Sequence, residues 1–291
     1  MNRVKTVFYA IYPALQVHTW GGLGSQLFAA HAILRLRSRF PYRRIVLVIH
    51  TSGVTKRIPE LNFNLLAINL RLVDDFNLII PNNKNDHDNT SKQKFLWSNF
   101  KKLGKSLLKY LYFFAEANDE MNYKEVRPWT IMLRGHYTQL KLDEKALREI
   151  SKSLFREPNL RKTIPEVLVV HYRLGDLMYL EEKSPVSVKR IDQIIDTFPP
   201  LKNSILLLAD SKTLDSVEFL SNSKNLRYIE VVVTDPITTL ELCMVAGNFL
   251  GTTSKISLWA AIFRKFILGK ASYLPQELKW AERAGLDSNW Y

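Results

Sequence analysis

Val167-Leu-Val-Val-His-Tyr-Arg-Leu-Gly-Asp176 runs from four apolar residues, three of them β-branched, into a histidine, an arginine and an aspartate. The apolar half predicts a short buried strand. Its end delivers His171, Arg173 and Asp176 into a turn relaxed by Gly175. In open parallel α/β sheets, ligands sit beyond the carboxyl ends of the strands. An arginine there forks onto paired oxygens, which suits it to hold a leaving diphosphate. A surface ion pair at a strand end would use the same residues, so this stretch alone leaves both readings open.

Outward from it, strand-like and helix-like runs alternate, the pattern of parallel α/β layers. Val4–Leu15 and Arg44–His50 read as strands, with a helix from about Gln26 to Phe40 between them, stopped by Pro41. Pro81–Lys94, rich in Asn, Asp, Lys and Ser, reads as a loop or insertion. In Phe95–Ala117, Phe100, Leu103, Leu107, Leu111 and Phe114 share one helical face, and Lys101, Lys102, Lys105 and Lys109 occupy others. Such a helix packs on its own domain or lies on an anionic membrane surface. A second unit begins near Pro165. Its strands are Val167–Tyr172, Ser204–Ala209, Leu226–Thr234 and Asn248–Gly251, separated by helices near Ser187–Phe198, Thr239–Ala246 and Ile256–Lys265. The expected domains are therefore 1–160, with an insertion at about 81–125, and 161–291. Two α/β units facing across a cleft is the expected architecture.

The 291 residues, 46% hydrophobic and 24% charged, leave ample interior for a core. Lys and Arg outnumber Asp and Glu 41 to 28, a formal charge of +13 that attracts polyanions. Nucleic acid, an anionic membrane face and diphosphate ligands all fit that field. Cys243 is the only cysteine, so no internal disulfide forms and a reducing compartment is favoured. Val7–Val17, broken by Pro13, is too short to span a membrane and has no small-residue cleavage site.

Two further turns precede helices. In Trp20-Gly-Gly-Leu-Gly-Ser-Gln26 the glycines let the backbone approach a ligand, and the helix start offers free N–H groups. It is no dinucleotide fingerprint, because Leu27 takes the third glycine position. Leu250-Gly-Thr-Thr-Ser-Lys255 follows a short apolar strand, and its hydroxyls and N–H groups suit a phosphate. A plain Ser/Thr N-cap uses the same residues. A P-loop is excluded, since Asn99 stands where Gly104-Lys105-Ser106 needs an upstream glycine. Gly-x-Ser-x-Gly is missing, and no His, Cys and carboxylate spacing suggests a metal cluster. His31 and Trp259 read most simply as core or interface groups. Fixed cations and dipoles, Arg173 and Thr252–Ser254, would serve a leaving diphosphate without a metal.

Taken together, four segments resemble the bacterial α-1,2-fucosyltransferases, within the superfamily that includes α-1,6- and protein O-fucosyltransferases. They are Gly21–Phe28, Leu133–Gln139 with its Gly-His-Tyr-Thr-Gln, His171–Asp176, and Leu242–Met244 through Thr253–Ala261. They match in order and span most of the chain. The resemblance implies a GT-B-like fold of two Rossmann-like domains, the nucleotide sugar being held mainly by the C-terminal one. It implies metal-independent, inverting transfer of fucose from GDP-fucose to a glycan hydroxyl. By carry-over, Arg173 binds the diphosphate and stabilises departing GDP. His171, Asp210, Thr252, Thr253 and Ser254 are donor-binding residues, and Gly22, Gly24 and Ser25 face the donor from the opposite domain.

Three positions depart from the pattern. Leu174 replaces a second arginine, Ser25 replaces an Asn, and Thr239 stands where many relatives have an acidic residue. In some relatives that carboxylate reads the guanine edge, so Asp235 or Glu241 would have to take over, or the donor is another nucleotide sugar. The general base is expected at Asp176 or Glu181, because inverting transfer needs a carboxylate within reach of the acceptor hydroxyl. The leading expectation is a cytoplasmic fucosyltransferase of bacterial surface polysaccharide (O-antigen or capsule) synthesis. It would work on a lipid-linked glycan acceptor, peripheral to the inner membrane face. The alternatives are the same fold with a different nucleotide sugar, and a non-enzymatic polyanion- or RNA-binding protein. No nucleic-acid module signature supports the last.

Overall fold

The computed structural model describes residues 12–51, 58–73, 111, 113–117, 126–138, 140–155, 164–178, 184–198 and 205–291. The chain divides into two compact units, Met1–Leu140 and Lys141–Tyr291. Each is built on a parallel sheet, which places the protein in the α/β class with two Rossmann-like units.

In the first unit, β1 (Leu15–Trp20) and the apolar run β2 (Ile45–His50) are buried on both faces, as central parallel strands are. With β3 (Asn69–Val73), β4 (Phe114–Ala117) and β5 (Met132–Gly135) they form a sheet ordered β3-β2-β1-β5-β4. Every pairing is parallel. Between β1 and β2 runs α1 (Leu23–Arg39), buried continuously from Leu23 to Leu34. A helix buried on every side belongs inside the layers; its buried positions include Ala29, Ala30 and Ala32 beside the polar Ser25, Gln26 and His31. Pro41 disfavours a helical Phe40, so the helix stops there.

The second unit's sheet holds β6 (Ile164–Tyr172), β7 (Ile205–Ala209), β8 (Val231–Val232), β9 (Ala246–Gly251), β10 (Tyr273–Leu274) and β11 (Asn289–Trp290). Its order is β11-β10-β9-β6-β7-β8, and all pairings are parallel. Counted from β6 this is 3-2-1-4-5-6, the order of dinucleotide-binding folds. The accompanying helices are α2 (Glu144–Leu154), α3 (Val188–Ile195), α4 (Leu214–Ser221), α5 (Pro236–Val245) and α6 (Lys255–Phe263). Asp143, Ser187, Thr213, Asp235 and Ser254 cap their N-termini, each side chain accepting from a first-turn N–H.

The first described strand begins at Leu15; of the expected strand Val4–Leu15, residues 12–14 are not strand and residues 4–11 lie outside the described ones. Phe114–Ala117, read as the end of a lysine-rich helix within an insertion, is a strand paired with β5 from Phe114↔Met132 to Ala117↔Gly135. Here a tertiary ladder overrides local helical spacing; residues 81–110 lie outside the described ones. The compact units divide after Leu140, with α2 in the second. It is held there as the Leu142 N–H donates to the Ala284 carbonyl and Phe155 packs edge-on against Phe263, 5.8 Å between centroids.

Arg264 anchors the second unit from within. It is 1% exposed, and its guanidinium donates to the carbonyls of Cys243, Met244, Ala246, Gly247 and Ala271. The last carbonyls of α5, the start of β9 and the turn before β10 thereby share one cation, where helix C-termini favour positive charge. Burial lowers its pKa to about 10, so it stays protonated at neutral pH. Arg264→Met strands these carbonyls without donors and is expected to cost more than about 3 kcal/mol in urea unfolding. A loss under about 1 kcal/mol would contradict this role.

Candidate active site

In the second unit the chain leaves β6, builds β7 and β8 on one side, then returns to build β9, β10 and β11 on the other. The order reverses between β6 and β9, and ligands of such sheets bind outside the strand ends at that crevice. His171 is in register with Gly251, and Tyr172 with Ala209. Arg173 therefore emerges between the loop Thr252–Ser254 and Asp210. These sequence-predicted residues are brought together at one sheet edge.

Thr252 ties the two strand ends. Its hydroxyl, 1% exposed with the residue, accepts from the Arg173 N–H at 2.9 Å and donates to the His171 carbonyl at 3.1 Å. Its own N–H donates to the same carbonyl at 3.1 Å and to Ser257 Oγ at 3.2 Å. Ser257 Oγ also bonds His171 Nδ1 at 2.7 Å. A Cβ on Gly251 would lie 2.6 Å from Ser257 Cβ and 2.9 Å from Leu274 Cδ2, so only glycine lets β9 meet α6 this closely. The Tyr291 hydroxyl donates to the Gly251 carbonyl at 2.7 Å. Ser254 Oγ accepts from the Ile256 N–H at 3.1 Å, capping α6, and Thr253 lies half-buried between the two.

The roles thus divide within the predicted set. Thr252 and Ser254 shape the backbone, while Arg173 and Thr253 are partly exposed. His171 is 3% exposed, and burial lowers its pKa to about 4 despite nearby Asp210. It is neutral at pH 7 and serves the junction of sheet and helix. Asp210 Oδ1 accepts from the N–H groups of Leu174 and Gly175 at 2.7 and 2.9 Å. Asp176 opens a short 3-10 turn, Asp176–Met178, but its side chain is not among those described, and Glu181 lies outside the described residues.

Asp235 caps α5, accepting from Ile237 and Thr238; these hydrogen bonds, Thr238's hydroxyl first, hold its carboxyl below the usual range. Thr239 donates to the Asp235 carbonyl at 3.0 Å and meets the Thr234 hydroxyl at 2.7 Å. Thr239 has no carboxylate to offer a base, and that of Asp235 is engaged at the helix start. Glu241 lies half-buried on the same helix.

Gly22, Gly24 and Ser25 open α1 in the first unit, after Gly21 with a left-handed φ of 103°. Here the helix start already carries an anion: Leu23 N–H donates to Glu60 Oε2 at 3.0 Å. Gln26, fully buried, brackets the same loop through the Ile58 carbonyl and the Glu60 N–H, both at 2.9 Å. Sequence reasoning missed a cluster nearby. His18 Nδ1 meets His50 Nε2 at 2.9 Å, the Arg134 guanidinium stacks 5.1 Å over Trp20, and His136 meets Trp20 edge-on at 4.8 Å. Burial, then His50, Arg134 and Arg71, lower His18 to about 4. These residues come from β1, β2 and the end of β5, which lie far apart in sequence, so no single spacing announces the cluster. Ser257 and Tyr291 were missed likewise; Ser257 lies inside a quoted segment, but its hydrogen bonds have no local signal. Among the described residues no group of three His, Cys, Asp or Glu side chains is placed to hold a metal, and no helix is long and apolar enough to cross a membrane.

No family model and no curated protein matches the chain. Similar solved structures include NodZ α-1,6-fucosyltransferase co-crystallised with GDP, at 11% identity over 85% of this chain and 91% of that one, with a TM-score of 0.40. NodZ soaked with GDP-fucose matches at 11% over 86% and 92%, TM-score 0.39. A family 9 glycosyl transferase from Veillonella parvula DSM 2008 matches at 11% over 91% and 80%, TM-score 0.40.

Histidine burial at the site sets a pH dependence. The unfolded chain takes up a proton at His171 near 6.5, the folded chain only near 4. Its contribution to stability is complete above 6.5 and is lost as pH falls through that window. Urea midpoints measured from pH 7 to 4 should fall, and His171→Asn should reduce proton uptake on unfolding by about one. An unchanged slope in that variant would refute the assignment.

Proposed function

We propose that the protein is a glycosyltransferase that takes its sugar from a nucleoside-diphosphate donor bound at the switch point of the second unit. One observation carries this reading: Thr252 joins the Arg173 backbone directly to the loop that starts α6. A cation and a helix start are thereby fixed side by side at the crevice where such sheets take ligands. Arg173 is the group that meets the diphosphate and stabilises its charge as the bond to the anomeric carbon breaks. Thr253 and the first N–H groups of α6 contact the phosphates alongside it, and no metal is required in this scheme. In inverting transfer the acceptor oxygen attacks that carbon from the opposite face, and a carboxylate, Asp176 or Glu181, takes its proton.

Fucose from GDP-fucose, delivered to a glycan hydroxyl during surface polysaccharide assembly, is the reading that the sequence resemblance supports. The +13 charge suits a site of work on the inner face of an anionic membrane, with a lipid-linked acceptor. A different nucleotide sugar is the second reading. It is favoured by Thr239, which meets Thr234 and carries no carboxylate for a guanine edge, and by the engagement of Asp235 in capping.

Thermal shift against GDP, UDP, ADP and GDP-fucose separates these readings. One nucleoside diphosphate at about 100 times its Kd should stabilise the protein by about 2.7 kcal/mol. Arg173→Ala should fold normally yet weaken that binding roughly 10- to 100-fold and abolish transfer. Binding that ignores base identity and vanishes with salt would replace the proposal with a polyanion-binding role.

A further inference from the structure

Beyond the end of β6, three consecutive backbone N–H groups are taken by side chains from the flanking strands. On the β9 side, Thr252 Oγ1 accepts from Arg173 at 2.9 Å. On the β7 side, Asp210 Oδ1 accepts from Leu174 at 2.7 Å and from Gly175 at 2.9 Å. The carboxylate also presses on the glycine: a Cβ at Gly175 would lie 2.8 Å from Asp210 Oδ2 and 3.1 Å from its Cγ. Leu174 is fully buried, so the backbone between Tyr172 and Gly175 has little freedom left. Hydrogen bonds to an ionised acceptor are about twice as strong as neutral ones. Asp210 sits exposed at the tip of β7, with its Oδ1 committed to this loop.

We infer that Asp210 is a positioning residue: it fixes the Leu174–Gly175 backbone and thereby aims the Arg173 guanidinium, without itself touching the donor. Its functional consequence rests on the donor site proposed above. What the loop needs from Asp210 is an acceptor oxygen, which asparagine also supplies in nearly the same shape. A carboxylate serving as a base, or contacting the donor through its charge, would be lost in asparagine. The glycine at 175 follows from the same contact, since a methyl group there displaces the carboxylate.

The test uses the full chain with Asp210→Asn, Asp210→Ala and Gly175→Ala, and has two arms. In hydrogen exchange, the amides of Leu174 and Gly175 should stay protected in Asp210→Asn and lose protection in Asp210→Ala. In calorimetry with GDP, UDP and ADP, Asp210→Asn should bind the preferred nucleotide within about threefold of the parent. Asp210→Ala and Gly175→Ala should bind it roughly 10- to 100-fold more weakly, as expected when a charged hydrogen bond is misaligned. Should Asp210→Ala not fold, Gly175→Ala carries both arms. Asp210→Asn weakened as much as Asp210→Ala, or amides still protected in Asp210→Ala, would overturn the inference. If the parent binds no nucleoside diphosphate, the donor reading falls by itself, while exchange at Leu174 and Gly175 still decides whether Asp210 holds the loop.

Discussion

One buried hydroxyl holds the second unit's crevice in shape. Thr252 Oγ1 takes the Arg173 N–H and gives its proton to the His171 carbonyl, so the ends of β6 and β9 cannot drift apart. Both strands stop at this point, and their ladder offers no further bonds. Without such a bridge, the N–H of Arg173 would be left unsatisfied, at a cost of about 1–3 kcal/mol. Valine has the shape of threonine but not its hydrogen bonds, so the position requires the hydroxyl rather than the volume. Ser257 and His171 complete the same junction from beneath, and neutral imidazole suits it because burial keeps the proton off.

The two units use a similar device to opposite ends. Each has a glycine-bearing turn between a central strand and a helix. In the second unit the turn Gly251–Ser254 stands beside a cation, Arg173. In the first, the helix start is already met by Glu60, and Gln26 locks the loop that carries it. Helix N-termini attract anions in general. What surrounds each one decides whether a ligand or a side chain answers that attraction.

The sequence made the second unit legible because parallel strands buried on both faces read as unbroken apolar runs. Val167–Tyr172, Ser204–Ala209 and Asn248–Gly251 stand within a few residues of β6, β7 and β9, and with them came Arg173 and Thr252–Ser254. Short or exposed strands escaped. β10 and β11 have two residues each, too few to show a period, and β3 is largely exposed. Leu226–Thr234 was read long because its apolar residues continue past the two that pair. Phe114–Ala117 was misread because four residues cannot outweigh the lysine spacing before them. Side-chain roles were legible only as residue types: that Thr252 is buried and braces while Thr253 is partly exposed depends on register, which composition does not carry.

The most direct test is a crystal structure of the protein with GDP or the nucleoside diphosphate it prefers. The account predicts the two phosphates at the carboxyl ends of β6 and β9, within hydrogen-bond reach of the Arg173 guanidinium and the first N–H groups of α6. A nucleotide seated elsewhere, with Arg173 turned away from its phosphates, would contradict it.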